Sequence, residues 1–216
     1  MIKIAIGLGV LVTLAFLVKK KDMSFRQSLL QKVYPLIMWS SKSAGKKQTL
    51  INKDSVQPVV SFYALHTKDI NGADFNLASL KGKKVLIANT ASDCGFTGQY
   101  EALEKLSKMY AHKLVVLGFP ANDFKEQEIK DNKEIASFCQ KNYGVSFPLM
   151  AKSIVLKKAA QNAVYKWLTN QTLNGWNQQA PAWNFCKYLV NEEGVLTHYF
   201  PMTVDPLAPE LIKALE

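Results

Sequence analysis

The chain has 216 residues, 48% of them hydrophobic, with three cysteines and a formal net charge of +10. That length and apolar content suit one folded domain of roughly 150 residues plus an extension, and cysteines at 94, 139 and 186 are too few for a disulfide scaffold and match no zinc-ligand spacing. The positive charge does not mark a nucleic-acid binder: residues 1–53 hold ten Lys or Arg against the single acid Asp22, so nine of the ten net charges fall there and not on the remaining chain, which offers no basic surface interleaved with stacking aromatics.

Ile4 to Val18 carries no charge, and with Ile2 and Lys3, whose long side chain can snorkel, it makes 17 residues or roughly 25 Å of helix. That is the short limit for a membrane span. Val18 runs directly into Lys19-Lys20-Lys21 with no small-residue cleavage pattern, so residues 1–22 read as an uncleaved transmembrane or signal anchor rather than a removed signal peptide. The lysine triplet favours a cytoplasmic location for the domain that follows; Lys3 and the terminal amine compete, which leaves a periplasmic or secreted location as the alternative.

Residues 24–40 mix Leu29, Leu30, Val33, Leu36, Ile37 and Trp39 with basic residues. A helix lying on a lipid surface, bent near Pro35, and a helix packed as an extension of the domain fit equally. Ser41 to Ser55 is polar and lysine-rich and reads as linker. The expected organisation is therefore anchor 1–22, basic amphipathic stretch and linker 23–55, and compact domain 56–216.

Within the domain, Asn71-Gly72 between Phe62-Tyr63-Ala64-Leu65 and Phe75-Asn76-Leu77 predicts a hairpin, because that pair tolerates the positive φ angles of a tight turn. Apolar strands are predicted at 85–89, 114–119, 185–190 and 196–200, and helices at about 98–110, 132–142 and 163–169. Glu192-Glu193-Gly194 turns the last two strands into a pair. Strand, helix, strand, then helix, strand, strand, helix is an α/β thioredoxin-like layout with a central mixed β-sheet flanked by helices.

Cys94 lies where the strand ending at Asn89 breaks and a helix begins, one whose apolar face carries Tyr100, Leu103, Leu106, Met109 and Tyr110. Free N–H groups at that helix start are expected to face the sulfur and lower the thiol pKa. A lone cysteine is more often a small buried hydrophobe. Cys139 can share a buried helical face with Ile135 and Phe138, and Cys186, in an alternating strand, reads as structural.

Four separated motifs carry a resemblance. Asn89-Thr90-Ala91-Ser92-Asp93-Cys94-Gly95-Phe96-Thr97, Leu117-Gly118-Phe119-Pro120-Ala121-Asn122-Asp123-Phe124, Tyr143-Gly144-Val145-Ser146-Phe147-Pro148 and Trp183-Asn184-Phe185 together resemble the glutathione peroxidase family over residues 56–216. The resemblance implies a catalytic tetrad of Cys94 as peroxidatic thiol with Gln127, Trp183 and Asn184. Two amides and an indole N–H are neutral donors suited to a thiolate and to peroxide oxygens. It also implies Cys139 as the resolving cysteine, a hydroperoxide substrate, and reduction by a thioredoxin-type protein in preference to glutathione. No cofactor and no metal is implied, none of the three histidines falls in a motif, and the short stretch between Pro148 and Trp183 favours a monomer. Two alternatives stand beside the thiol peroxidase: a peroxide-sensing redox relay that passes its disulfide to a partner, and a disulfide oxidoreductase, against which Thr97 counts because it occupies the place of the second cysteine of a C-x-x-C pair. Two departures from the family pattern fall near the site. Ala121 and Asp123 replace a Cys and a Gln around Asn122, and Ile129-Lys130 replaces a Pro-Gly after Gln127-Glu128.

Overall fold

The computed structural model describes residues 23–41 and 48–216. The predicted anchor, residues 1–22, lies outside the described residues; among those described, no helix is long and apolar enough to cross a membrane. The described residues begin with helix α1 (Phe25–Ser41) and the short strand β1 (Leu50–Ile51), followed by a hairpin of β2 (Thr67–Lys68) and β3 (Asp74–Phe75). Then come β4 (Lys84–Thr90), α2 (Gln99–Met109), β5 (Leu114–Pro120), α3 (Asn132–Tyr143), α4 (Ala163–Leu168), α5 (Gln171–Asn174), β6 (Lys187–Val190), β7 (Leu196–Phe200) and α6 (Pro209–Ala214).

The main sheet runs β1-β7-β6-β4-β5. Strand β4 is central and fully buried from Val85 to Thr90, which is why Val85 to Ala88 read as an unbroken apolar run rather than an alternating one. It pairs parallel with β5, from Lys84 opposite Leu114 to Thr90 opposite Pro120, with α2 as the crossover, and antiparallel with β6. Alternate residues of β4 feed two cores. Leu86 and Ala88 point to one that holds Cys94, Tyr100, Leu103, Ile135, Cys139 and Phe185; Val85 and Ile87 point to the other, with Phe119, Tyr165, Trp167 and Cys186. Cys94 and Cys139 therefore share a core, and Cys186 lies across the sheet from both.

Two expectations change. The hairpin is present around Gly72 (φ 88°), with Asp69 Oδ1 accepting the N–H groups of Asn71 and Ala73, but its strands are two residues each. Phe62–Ala64 and Leu77–Leu80 are instead 3₁₀ turns, whose Phe62, Leu77 and Leu80 fill the second core. The stretch read as linker contains β1, which pairs antiparallel with β7, and Asn52 clamps the turn beyond it by bonding Val56 at both N–H and carbonyl. Two residues are too short a run to show a strand period.

Of the two readings of residues 24–40, packing on the domain is observed for α1. Met23 and Met38 are buried, Tyr34 donates to Asp205 Oδ2 at 3.0 Å, and the Tyr34 ring lies over Gly98, where a Cβ would come within 2.5 Å of it. Packing does not exclude the lipid reading: at 100° per residue, Phe25, Leu29 and Leu36 fall on the face about 180° from Gln27, Tyr34 and Met38, and they are 54%, 44% and 62% exposed.

Candidate active site

Cys94 sits in the turn between β4 and α2. Thr97 builds that turn: its hydroxyl takes the Cys94 N–H at 3.0 Å and donates to the carbonyls of Ala91 and Cys94, so the chain doubles back before α2 begins at Gln99. The sulfur is fully buried. One backbone donor reaches it, Phe96 N–H at 3.4 Å, together with the side chains of Trp183 and Asn184. The expected lowering of the thiol pKa by a helix start is not found. Helix α2 starts five residues later, and desolvation outweighs the donors, so the thiol is raised above its ordinary value; the nearby charge of Asp93 adds to the rise.

The structure brings the sequence-predicted residues together from three loops. Asn184 Nδ2 donates to Gln127 Oε1 at 3.0 Å, which ties the loop before β6 to the loop after β5. The Asn184 loop is fixed from behind, where the Asn89 side chain donates to the Trp183 carbonyl at 2.9 Å and Phe185 N–H to the Asn89 carbonyl at 2.6 Å. Trp183 is half-buried, packs against Phe124 at 5.5 Å and lies under the ammonium of Lys125 at 5.8 Å. Gln127 is held through its backbone, its carbonyl accepting the Asp93 N–H at 3.0 Å.

Sequence reasoning missed two features here. Lys125 and Glu126 both adopt left-handed backbone, at φ 51° and 52°, a conformation that strains side-chain-bearing residues and at the two places before Gln127 has no glycine to signal it. Glu128, next to Gln127, is wholly buried and accepts the Ser92 N–H and hydroxyl, each at 2.8 Å. The departures are accommodated. Ala121 is buried in the second core, the Asp123 carboxylate takes the Val155 N–H at 2.6 Å and pairs with Lys158 at 2.5 Å, Ile129 points to solvent, and the Lys130 carbonyl accepts from Lys152 at 2.6 Å. Gln127 keeps its bond to Asn184 despite Ile129-Lys130.

Cys139 lies on α3, a helix started by a reciprocal capping box between Asp131 and Glu134 and ended by Gly144 in left-handed conformation. Its thiol is buried in the same core as Cys94, beside Tyr100, and burial pushes its pKa up to about 12. All three cysteines are free thiols, and Cys186 accepts the Tyr199 hydroxyl at 3.3 Å on the opposite side of the sheet. The arrangement is a thiol ringed by neutral donors, with a second buried thiol in the same core.

A family model described as glutathione peroxidase matches residues 62–169. The chain is 45% identical over 157 residues to a glutathione peroxidase-like peroxiredoxin of Chlamydomonas reinhardtii, covering 71% of this chain and 96% of that one. A protein of Lactococcus lactis named glutathione peroxidase is 39% identical over 158 residues, 72% of this chain and 99% of its own. Among solved structures, the apo form of Trgpx superposes with a TM-score of 0.55 at 32% identity, covering 73% of this chain and 96% of that one. A thioredoxin-family thiol:disulfide interchange protein of Chlorobium tepidum superposes with a TM-score of 0.51 at 16% identity over 74% and 97%, which shows the fold alone.

Proposed function

The chain belongs to the glutathione peroxidase family and is a thiol peroxidase, and on that premise we propose that Cys94 is its nucleophile. The deprotonated sulfur attacks the near oxygen of a hydroperoxide, the O–O bond breaks, the far oxygen leaves as an alcohol or water once protonated, and Cys94 becomes a sulfenic acid. Gln127, Trp183 and Asn184 stabilise the sulfur anion and orient the peroxide by neutral donation. The observation that carries the reading is the convergence of Phe96 N–H, Trp183 and Asn184 on one sulfur, with Gln127 held by Asn184.

Cys139 resolves the sulfenic acid: its sulfur bonds to that of Cys94, the hydroxyl leaves as water with the thiol proton, and a dithiol of thioredoxin type returns two electrons and two protons to the disulfide. Their common core supports this pairing over one with Cys186. An NADPH-coupled peroxidase assay on the full-length protein tests both steps. Turnover with thioredoxin should exceed that with glutathione, and Cys94→Ser should abolish it; residual activity within about tenfold of wild type removes the nucleophile from Cys94.

The reading extends to location. Residues 1–22 anchor the protein as a single-pass membrane protein with the catalytic domain on the cytoplasmic face, and α1 lies between domain and bilayer with Phe25, Leu29 and Leu36 outward. Full-length protein should sediment with membranes and resist a high-salt wash, because apolar burial is not screened by salt. Recovery as a soluble species contradicts it.

A further inference from the structure

Glu128 is a buried carboxylate that the peroxide chemistry itself does not use. One oxygen, Oε2, takes both donors of Ser92, while Oε1 is buried with no hydrogen-bond partner among the described residues. The Glu128 N–H donates to Asn122 Oδ1 at 2.9 Å, and one residue earlier the Gln127 carbonyl takes the Asp93 N–H. Two consecutive residues of one loop, Ser92 and Asp93, are thus sewn to two consecutive residues of another, Gln127 and Glu128. Cys94 is the next residue on the first loop.

We propose that ionised Glu128 is a positioning residue of the peroxidase, holding the Ser92–Asp93 turn against the Gln127 loop so that Cys94 stays within reach of Gln127, Trp183 and Asn184. This rests on Cys94 being the nucleophile. Burial pushes Glu128 up to about 7, against the bonds from Ser92 and the positive charges of Lys130 and Lys152, which pull it down. Its charge is also felt by Tyr100 on α2 and by Cys139 on α3, and Asp93, on the turn it holds, is paired with Arg26 at 2.9 Å. Because a carboxylate accepts hydrogen bonds about twice as strongly as a neutral acid, protonation loosens the turn. No proton or electron of the peroxide reaction passes through Glu128.

The test is the rate of oxidation of full-length protein by hydrogen peroxide, followed by the tryptophan fluorescence change that Trp183, beside Cys94, should give, from about pH 5.5 to 8.5. The wild-type rate should rise through a limb near pH 7, below the limb of the thiol itself. Glu128→Gln keeps an acceptor oxygen but no charge; it should erase that limb and slow oxidation at about pH 8 roughly tenfold. Ser92→Ala keeps the charge and loses one bond to it, so the limb should move to higher pH. Persistence of the limb in Glu128→Gln, or rates within about twofold of wild type throughout, overturns the proposal. If Glu128→Gln does not fold, an unmoved limb in Ser92→Ala does so. Failure of the nucleophile assignment reads differently, as a fluorescence transient that survives in Cys94→Ser.

Discussion

Glu128 also makes a thermodynamic prediction whose size follows from its burial. Its carboxyl titrates near 4.5 in an ordinary setting and is pushed up to about 7 here, chiefly by desolvation. A carboxylate with a raised folded pKa keeps its proton in the folded chain after the unfolded chain has lost it. Stability therefore falls as pH rises from about 4.5 and levels off above about 7. Integrating that linkage between about pH 5.5 and pH 8 gives a loss of about 2 kcal/mol from this one group. Glu128→Gln removes the titration while keeping the shape and an oxygen for Ser92. The stability of the variant relative to wild type should thus improve by about 2 kcal/mol between those pH values, read as a shift of about 1 M in the relative urea midpoint for a slope near 2 kcal/mol per M. Other titrating groups are common to both proteins and cancel in the difference. A stability difference that stays constant within about 0.5 kcal/mol from pH 5.5 to 8 would refute the assignment of a strained buried carboxylate.

Cys139→Ser should leave the first oxidation intact but trap Cys94 as sulfenic and then sulfinic acid, seen as added oxygen on its peptide by mass spectrometry. Gly98→Ala places a methyl group within 2.5 Å of the Tyr34 ring and should lift α1 from the domain; faster proteolysis within residues 25–41, with the remaining domain intact, would show it. Lys187 is fully buried, donating to Gln99 Oε1 at 2.6 Å and to the Val204 carbonyl, and desolvation lowers its pKa to about 7. The unfolded chain then holds the extra proton between about pH 7 and 10, so wild-type stability relative to Lys187→Met should rise by about 2 kcal/mol from about pH 7 to 9 in urea melts.

What the sequence displays and what it hides divide along physical lines. β4 is legible because Val85-Leu86-Ile87-Ala88 is an unbroken apolar run of the kind a strand buried on both faces carries, and Cys94, Trp183 and Asn184 stand in motifs, with Gln127 just past one, which is how the sequence singles out four residues that the structure brings together. Strand β1 is too short to carry a period, and its pairing is decided by the distant β7. The thiol pKa of Cys94 rises where the sequence predicts a fall, because burial in the core outweighs the donors Phe96, Trp183 and Asn184, and no local pattern reports that burial. Glu128 is hidden for the same reason: a glutamate between a glutamine and an isoleucine reads as solvated until Ser92 is seen to meet it. The left-handed turn at Lys125 and Glu126 has no residue type to mark it. For α1 both readings drew on real features, since one face packs and the opposite face carries exposed Leu29 and Leu36.

The most direct test of the two-thiol mechanism is to add one equivalent of hydrogen peroxide to the fully reduced full-length protein, alkylate the remaining thiols and map all three cysteines. The mechanism predicts that Cys94 and Cys139 disappear together into one disulfide while Cys186 is fully alkylated. Peroxide consumption with Cys94 still alkylated, or a bridge from Cys94 to Cys186, would contradict it.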